Sequence, residues 1–110
     1  MLVFVIGNAA RTKLRIIAIL THRLRLIHIV ADWTARIALL SGDSVVYWKA
    51  LAKDGAELPV AAQTVRPASL IAGPRETMDF EYTPSRPGLM RLDVGQRTGI
   101  WRTSLPIRVN

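Results

Sequence analysis

The chain has 110 residues, half of them apolar, no cysteine, and 15 Lys+Arg against 8 Asp+Glu for a net charge of +7. A chain of this size sustains one compact core. The missing thiol excludes disulfide scaffolds, thiolate zinc sites, iron–sulfur clusters, thiol nucleophiles and a blue copper held by these residues alone.

Residues 1–10 are apolar without a basic leading region, so they read as a strand rather than a signal peptide, which leaves localisation open. The apolar runs 2–6 and 16–20 are five residues each, far short of the ~18 that span a bilayer as a helix. Residues 13–30 carry Leu14, Ile16, Ile17, Ile19, Leu20, Leu24, Leu26, Ile27 and Ile29 with no glycine, proline or asparagine to mark a turn. A hairpin near Leu20-Thr21-His22 would lack its usual chemistry. The alternatives are one long bent strand, or two strands joined so weakly that they open and pair with another copy of the chain.

Ala35, Ile37 and Leu39 alternate with Thr34, Arg36 and Ala38, after which Ser41-Gly42-Asp43 turns the chain into a strand over 45–52 that stops at Asp54-Gly55. Residues 57–64 contain Pro59 and predict an irregular crossover with at most one helical turn. Residues 67–72 lead into the turn dipeptide Gly73-Pro74. Met78, Phe80 and Tyr82 alternate with Thr77, Asp79 and Glu81, and Met90, Leu92 and Val94 with Leu89, Arg91 and Asp93, giving two half-buried strands. The loop 83–88, with two prolines and a glycine, is expected to join them as antiparallel neighbours. The final strand, about 100–109, contains Pro106, which has no N–H for the ladder and predicts an edge or a bulge. Short strands separated by turns every ten residues or so predict a single all-β domain, a sandwich or barrel.

No constellation of catalytic residues stands out. His22 and His28 lie six apart on one strand face, about 20 Å at ~3.3 Å per residue, too far to share an ion; His28 reads as a core or boundary residue and His22 as a surface residue near a turn, with adventitious metal the lesser alternative. Asp79 and Glu81 share a face expected to meet ordinary solvent, with nothing to raise either pKa for acid–base work. Ser41, Ser44, Ser69, Ser85 and Ser104 fall in or near turns or on edge-like strands, none in Gly-x-Ser-x-Gly. Twelve of the fifteen cations are arginines, which favours bidentate contacts to carboxylate or phosphate. They are scattered from Arg11 to Arg108, with Arg23 and Arg25 the one closely alternating pair. Trp33, Trp48, Trp101, Tyr47 and Tyr82 fall mostly where alternation asks for core or interface. The expectation is weak, salt-sensitive attraction to polyanions without specific nucleic-acid binding.

Residues 21–29, Thr-His-Arg-Leu-Arg-Leu-Ile-His-Ile, together with Ala52-Lys53-Asp54-Gly55 and the segment 73–80, resemble the multicopper oxidases, most closely their middle cupredoxin-like domain. Phe4-Val5-Ile6-Gly7 stands where that domain has a strand ending in Asn-Gly, and Arg86-Pro87-Gly88 where it has a Pro-Gly hairpin. Four positions depart from the pattern: Ile6 and His28 replace asparagines, and Leu20 and Arg75 replace glycines.

The resemblance implies an all-β, Greek-key, cupredoxin-like sandwich or barrel filling residues 1–110. That family of oxidoreductases, often secreted or periplasmic, holds copper through Cys, His, Met and His-x-His pairs, and this chain has no cysteine, no His-x-His and two histidines in all. The implied role is that of a copper-free, non-catalytic spacer, excised or engineered from a larger protein, with no catalytic, cofactor or metal residues, no cofactor, and flanking cupredoxin domains as partners. Apolar residues on both faces of the first strands add the expectation of a homo-oligomer, and no membrane partner is expected. The competing reading is a basic β-sandwich module for an anionic ligand.

Overall fold

The computed structural model describes residues 2–6, 14–29, 34–96 and 101–110. Among them twelve strands form two six-stranded mixed sheets. The first sheet runs β1 (Leu2–Ile6), β3 (His22–His28), β10 (Thr77–Tyr82), β6 (Tyr47–Lys53), with β7 (Ala56–Glu57) and β8 (Val65–Pro67) both pairing with β6. The second runs β2 (Leu14–Ile16), β12 (Trp101–Val109), β11 (Gly88–Gln96), β4 (Ala35–Ser41), β5 (Ser44–Val45), with β9 (Ser69–Ala72) also pairing with β4. Only β1–β3 and β2–β12 are parallel among these pairs.

The period-two pattern places the core between the sheets. Phe4, Leu24, Leu26, Trp48, Ala50 and Phe80 from the first sheet meet Ile37, Leu39, Met90, Leu92, Ile107 and Val109 from the second in one buried cluster. Each large side chain so buried stabilises the fold by about 1.5–3 kcal/mol. Trp48 and Phe80 stack within this layer, ring centroids 4.0 Å apart and planes 14° from parallel.

The turns expected at Ser41-Gly42-Asp43 and Asp54-Gly55 each close a two-residue hairpin. Leu40 pairs with Val45 and Ser41 with Ser44 around Gly42-Asp43, and Ala52 pairs with Glu57 and Lys53 with Ala56 around Asp54-Gly55. Gly42, Asp54 and Gly55 take the positive φ such turns require. The expected single helical turn is the 3₁₀ segment Val60–Ala62, which follows Pro59.

Several connections differ from expectation for one reason: they change sheets. Residues 14–29 form neither a hairpin nor one long strand, because β2 pairs with β12 in one sheet and β3 with β10 in the other. The 83–88 loop likewise carries β10 into the opposite sheet instead of joining it to an antiparallel neighbour. The strand expected over 45–52 is broken at Val46 between β5 and β6, and 67–72 breaks at Ala68 between β8 and β9. These two breaks meet: Ala68 N donates to Val46 O at 2.7 Å, and Leu39 N donates to Ala68 O at 2.9 Å, which satisfies backbone groups that leave their ladders.

The strand containing Pro106 is outermost over residues 101–106 among the described residues, and β2 then covers Ile107 to Val109. The bulge in its pairing with β11 lies at Val94/Gly95, away from the proline.

Candidate functional site

The densest array of charged groups lies on the outer face of the first sheet. Alternation along β3 sends Leu24 and Leu26 inward and leaves Arg23 and Arg25 outside, where the antiparallel β10 sets Asp79 across from Arg25. Arg25 Nε donates to Asp79 Oδ1 at 2.8 Å and its Nη2 to Oδ2 at 2.9 Å, a fork-to-fork pair. Arg23 Nε donates to Oδ2 at 2.9 Å, and its Nη2 reaches Glu57 on β7. Asp79 is thereby 2% exposed, so the expectation that it meets ordinary solvent is corrected: two guanidinium groups cover it.

The Arg25 hydrogen bonds, reinforced by those of Arg23, hold the Asp79 carboxyl below the usual carboxylate range against the opposing effect of burial. Glu57 and Asp79 raise the pKa of Arg23, and Asp79 that of Arg25. Both carboxylate oxygens of Asp79 accept from guanidinium N–H groups, and the array forms a strap across β3, β10 and β7. Arg-x-Arg on one strand and Asp-x-Glu on another was the visible signal, but only strand order shows that the two strands are neighbours.

A second buried carboxylate, Asp93, does the same on the other sheet. Arg91 Nε donates to Asp93 Oδ2 at 3.1 Å, Ser104 Oγ donates to Asp93 Oδ1, and Arg91 Nη1 donates to Gly42 O at 2.6 Å. This ties β11, β12 and the β4–β5 hairpin together, and gives Ser104 a structural partner. Ser41, Ser44, Ser69 and Ser85 are exposed in strands or loops.

The two histidines sit at opposite ends of β3. His22 Nε2 lies 3.2 Å from Ile17 N and 3.1 Å from Ile17 O, so whichever tautomer is present the ring bonds to the backbone where the chain crosses between sheets. His28 is buried, as expected of a core residue. Its carbonyl accepts from Arg75 N at 2.9 Å, and its N–H donates to Glu76 O at 3.0 Å. Among the described residues no group of three or more His, Asp or Glu is arranged to hold a metal. The copper chemistry of the family that the sequence resembles needs a thiolate and clustered imidazoles, and these residues do not fit it.

A cleft of about 370 Å³ opens beside β6, lined by Ala50, Leu58, Ile71 and Phe80 with Lys53 and Arg66 among its walls. Its carboxylate, Glu76, accepts from Gly73 N at 2.9 Å and pairs with Lys53 at 3.2 Å. The walls carry no serine, histidine or second carboxylate, and the Lys53 ammonium and the Glu76 carboxylate are held as an ion pair.

Of the aromatic residues assigned to core or interface, Trp48 is buried and Tyr82 packs at the core margin, but Tyr47 is exposed. Trp33 and Arg11 lie outside the described residues, as do residues 30–32 and 97–100.

No family model matches this sequence, and a search of curated proteins finds no match to it. Solved structures do match the fold. A multi-copper oxidase from Pediococcus acidilactici superposes with a TM-score of 0.68 at 9% identity, over 94% of this chain and 22% of that one. A blue copper oxidase from Nitrosomonas europaea gives 0.66 at 18% identity, over 92% of this chain and 31% of that one. The laccase-like multi-copper oxidase CueO from Ochrobactrum sp. gives 0.67 at 18% identity, over 89% and 21%. At these identities the likeness is one of fold: the chain is an all-β sandwich of the cupredoxin-like kind found in multicopper oxidases, and it spans between a fifth and a third of their length.

Proposed function

We propose that this chain is a copper-free, non-catalytic cupredoxin-like domain with the structural role of a middle domain in a multicopper oxidase, packed between metal-bearing neighbours. The observation that carries this reading is that nearly the whole chain fits one portion of such an oxidase while it lacks the cysteine that a blue copper requires. Its buried polar groups support it as well. Asp79 and Asp93, the buried carboxylates among the described residues, are paired with arginines that fasten strands.

In the alternative reading of an anion-binding module, Arg23, Arg25 and Arg91 are already engaged by carboxylates of the same molecule, so the anion would fall to other arginines such as Arg66 in the cleft wall.

The test is to load the purified chain with copper(II) and record visible absorption, the electron paramagnetic resonance spectrum and turnover of a phenolic substrate. The expected result is no intense blue band and no turnover. A thiolate-like blue band or metal-dependent oxidation by the pure chain overturns the reading.

A further inference from the structure

The outermost strand β1 is built in a way that invites pairing. Among the described residues it bonds to β3 on one side and to nothing on the other. An open strand edge presents unpaired N–H and C=O groups, and proteins usually blunt it with a charge, a proline or a bulge. Leu2-Val3-Phe4-Val5-Ile6 has none of these: it carries no ionisable side chain, no proline and no glycine, and its register with β3 runs unbroken from Leu2↔Leu24 to Ile6↔His28. Phe4 points into the core at 4% exposure, while Val3 and Val5 on the outer face remain 48% and 40% exposed.

We propose that the occupant of this edge is a second copy of the chain, joined by antiparallel β1–β1 pairing about a two-fold axis at Phe4. The sequence is close to a palindrome about that residue. Antiparallel pairing there sets Val3 against Val5 of the second copy, Phe4 against Phe4, and Leu2 against Ile6, so the same apolar groups meet in both directions. This joins the two first sheets into one and sets the Phe4 rings of both copies side by side at the junction of their cores.

Among the described residues the cations nearest the edge, Arg25 opposite Val3 and Arg23 beyond it, are paired with Asp79 and Glu57 within each copy, so the repulsion left between two copies is that of their net charge of +7 each, which salt screens. The strand is only five residues long and its contact falls below the ~1,200 Å² of a stable interface, so the dimer is weak and forms at high micromolar concentration.

The experiment is sedimentation velocity of the full chain across a concentration series, with two double variants at exposed positions and circular dichroism to verify the fold. Val3→Glu/Val5→Glu sets like charges opposite each other in both rows and is expected to weaken the dimer about tenfold. Val3→Glu/Val5→Lys sets opposite charges together in this register and is expected to restore it at low salt. Parallel pairing would set like against like in the second variant as well. Equal association of both variants, or a wild-type chain that stays monomeric at millimolar concentration, overturns the proposal. An independent reading on the unmodified chain is amide hydrogen exchange: β1 protection is expected to rise with protein concentration, and protection independent of concentration overturns the proposal even if a variant fails to fold.

Discussion

Arg25 lies directly across from Asp79 in the β3–β10 ladder and grips it through two parallel hydrogen bonds of 2.8 and 2.9 Å. Arg23, two residues earlier, closes over the same carboxylate and extends the chain of charges to Glu57. Asp79 is thus the hub of a three-strand strap.

Asp79→Asn is expected to destabilise the domain by about 1–3 kcal/mol, since it removes the charge that two part-exposed guanidinium groups share. Chemical denaturation at pH 7 measures it. Arg25→Lys is expected to lose part of the same stability because an ammonium cannot make the forked contact.

The Asp79 carboxyl has a folded pKa below its unfolded value, so its contribution is fully present above the usual carboxylate range and is lost as pH falls through the lower, folded value. The stability difference between wild type and Asp79→Asn is therefore expected to be constant from pH 6 to 8, by the ordinary aspartate value of about 4, and to shrink as the solution is acidified below it. A thermal-melt series over pH checks it.

Ile19 and Arg75 adopt left-handed φ values of 67° and 65°, a region that costs a residue other than glycine about 1–2 kcal/mol. Arg75 is one of the positions where the resemblance expects glycine, and Ile19 lies next to Leu20, the other. Neighbouring bonds hold the first turn in place: Ile19 N donates to Pro84 O at 2.8 Å and Thr21 Oγ1 lies 2.7 Å from Thr83 Oγ1. Ile19→Gly and Arg75→Gly are each expected to stabilise the fold by up to about 1 kcal/mol after the entropy cost of glycine, measured by denaturant midpoint.

Trp48 is 2% exposed, and its indole N–H has no acceptor among the described residues. Trp48→Ala is expected to cost about 3–5 kcal/mol through the cavity beside Phe80, and Trp48→Phe considerably less, since it keeps a ring on Phe80 and removes an unsatisfied donor. Equilibrium unfolding followed by far-ultraviolet circular dichroism separates the two.

Binding to heparin or duplex DNA is expected to be weak and to vanish at moderate salt, because the arginines resolved in the ion-pair network already neutralise carboxylates and the others are dispersed along the chain. A salt titration of fluorescence anisotropy with labelled DNA measures it.

Much of the strand content was legible in the sequence because it depends on neighbours along the chain. Alternation at 78–82 and 90–94 marks an inward face whatever lies opposite, and Gly42-Asp43 and Asp54-Gly55 bring their own turn geometry. The absence of a thiolate was equally local, since the chain has no cysteine. Sheet membership was not local. A strand that ends its ladder at Val46 or Ala68 and resumes it in the opposite sheet keeps the same alternating composition, because both sheets bury one face in the same core. Nor did alternation distinguish Asp79 from Glu81, which share a face: only the lateral order β3–β10–β6–β7 brings Arg23, Arg25 and Glu57 around the first of them. Periodicity reports which face a side chain occupies, and the energy of a buried charge depends on which strand lies beside it.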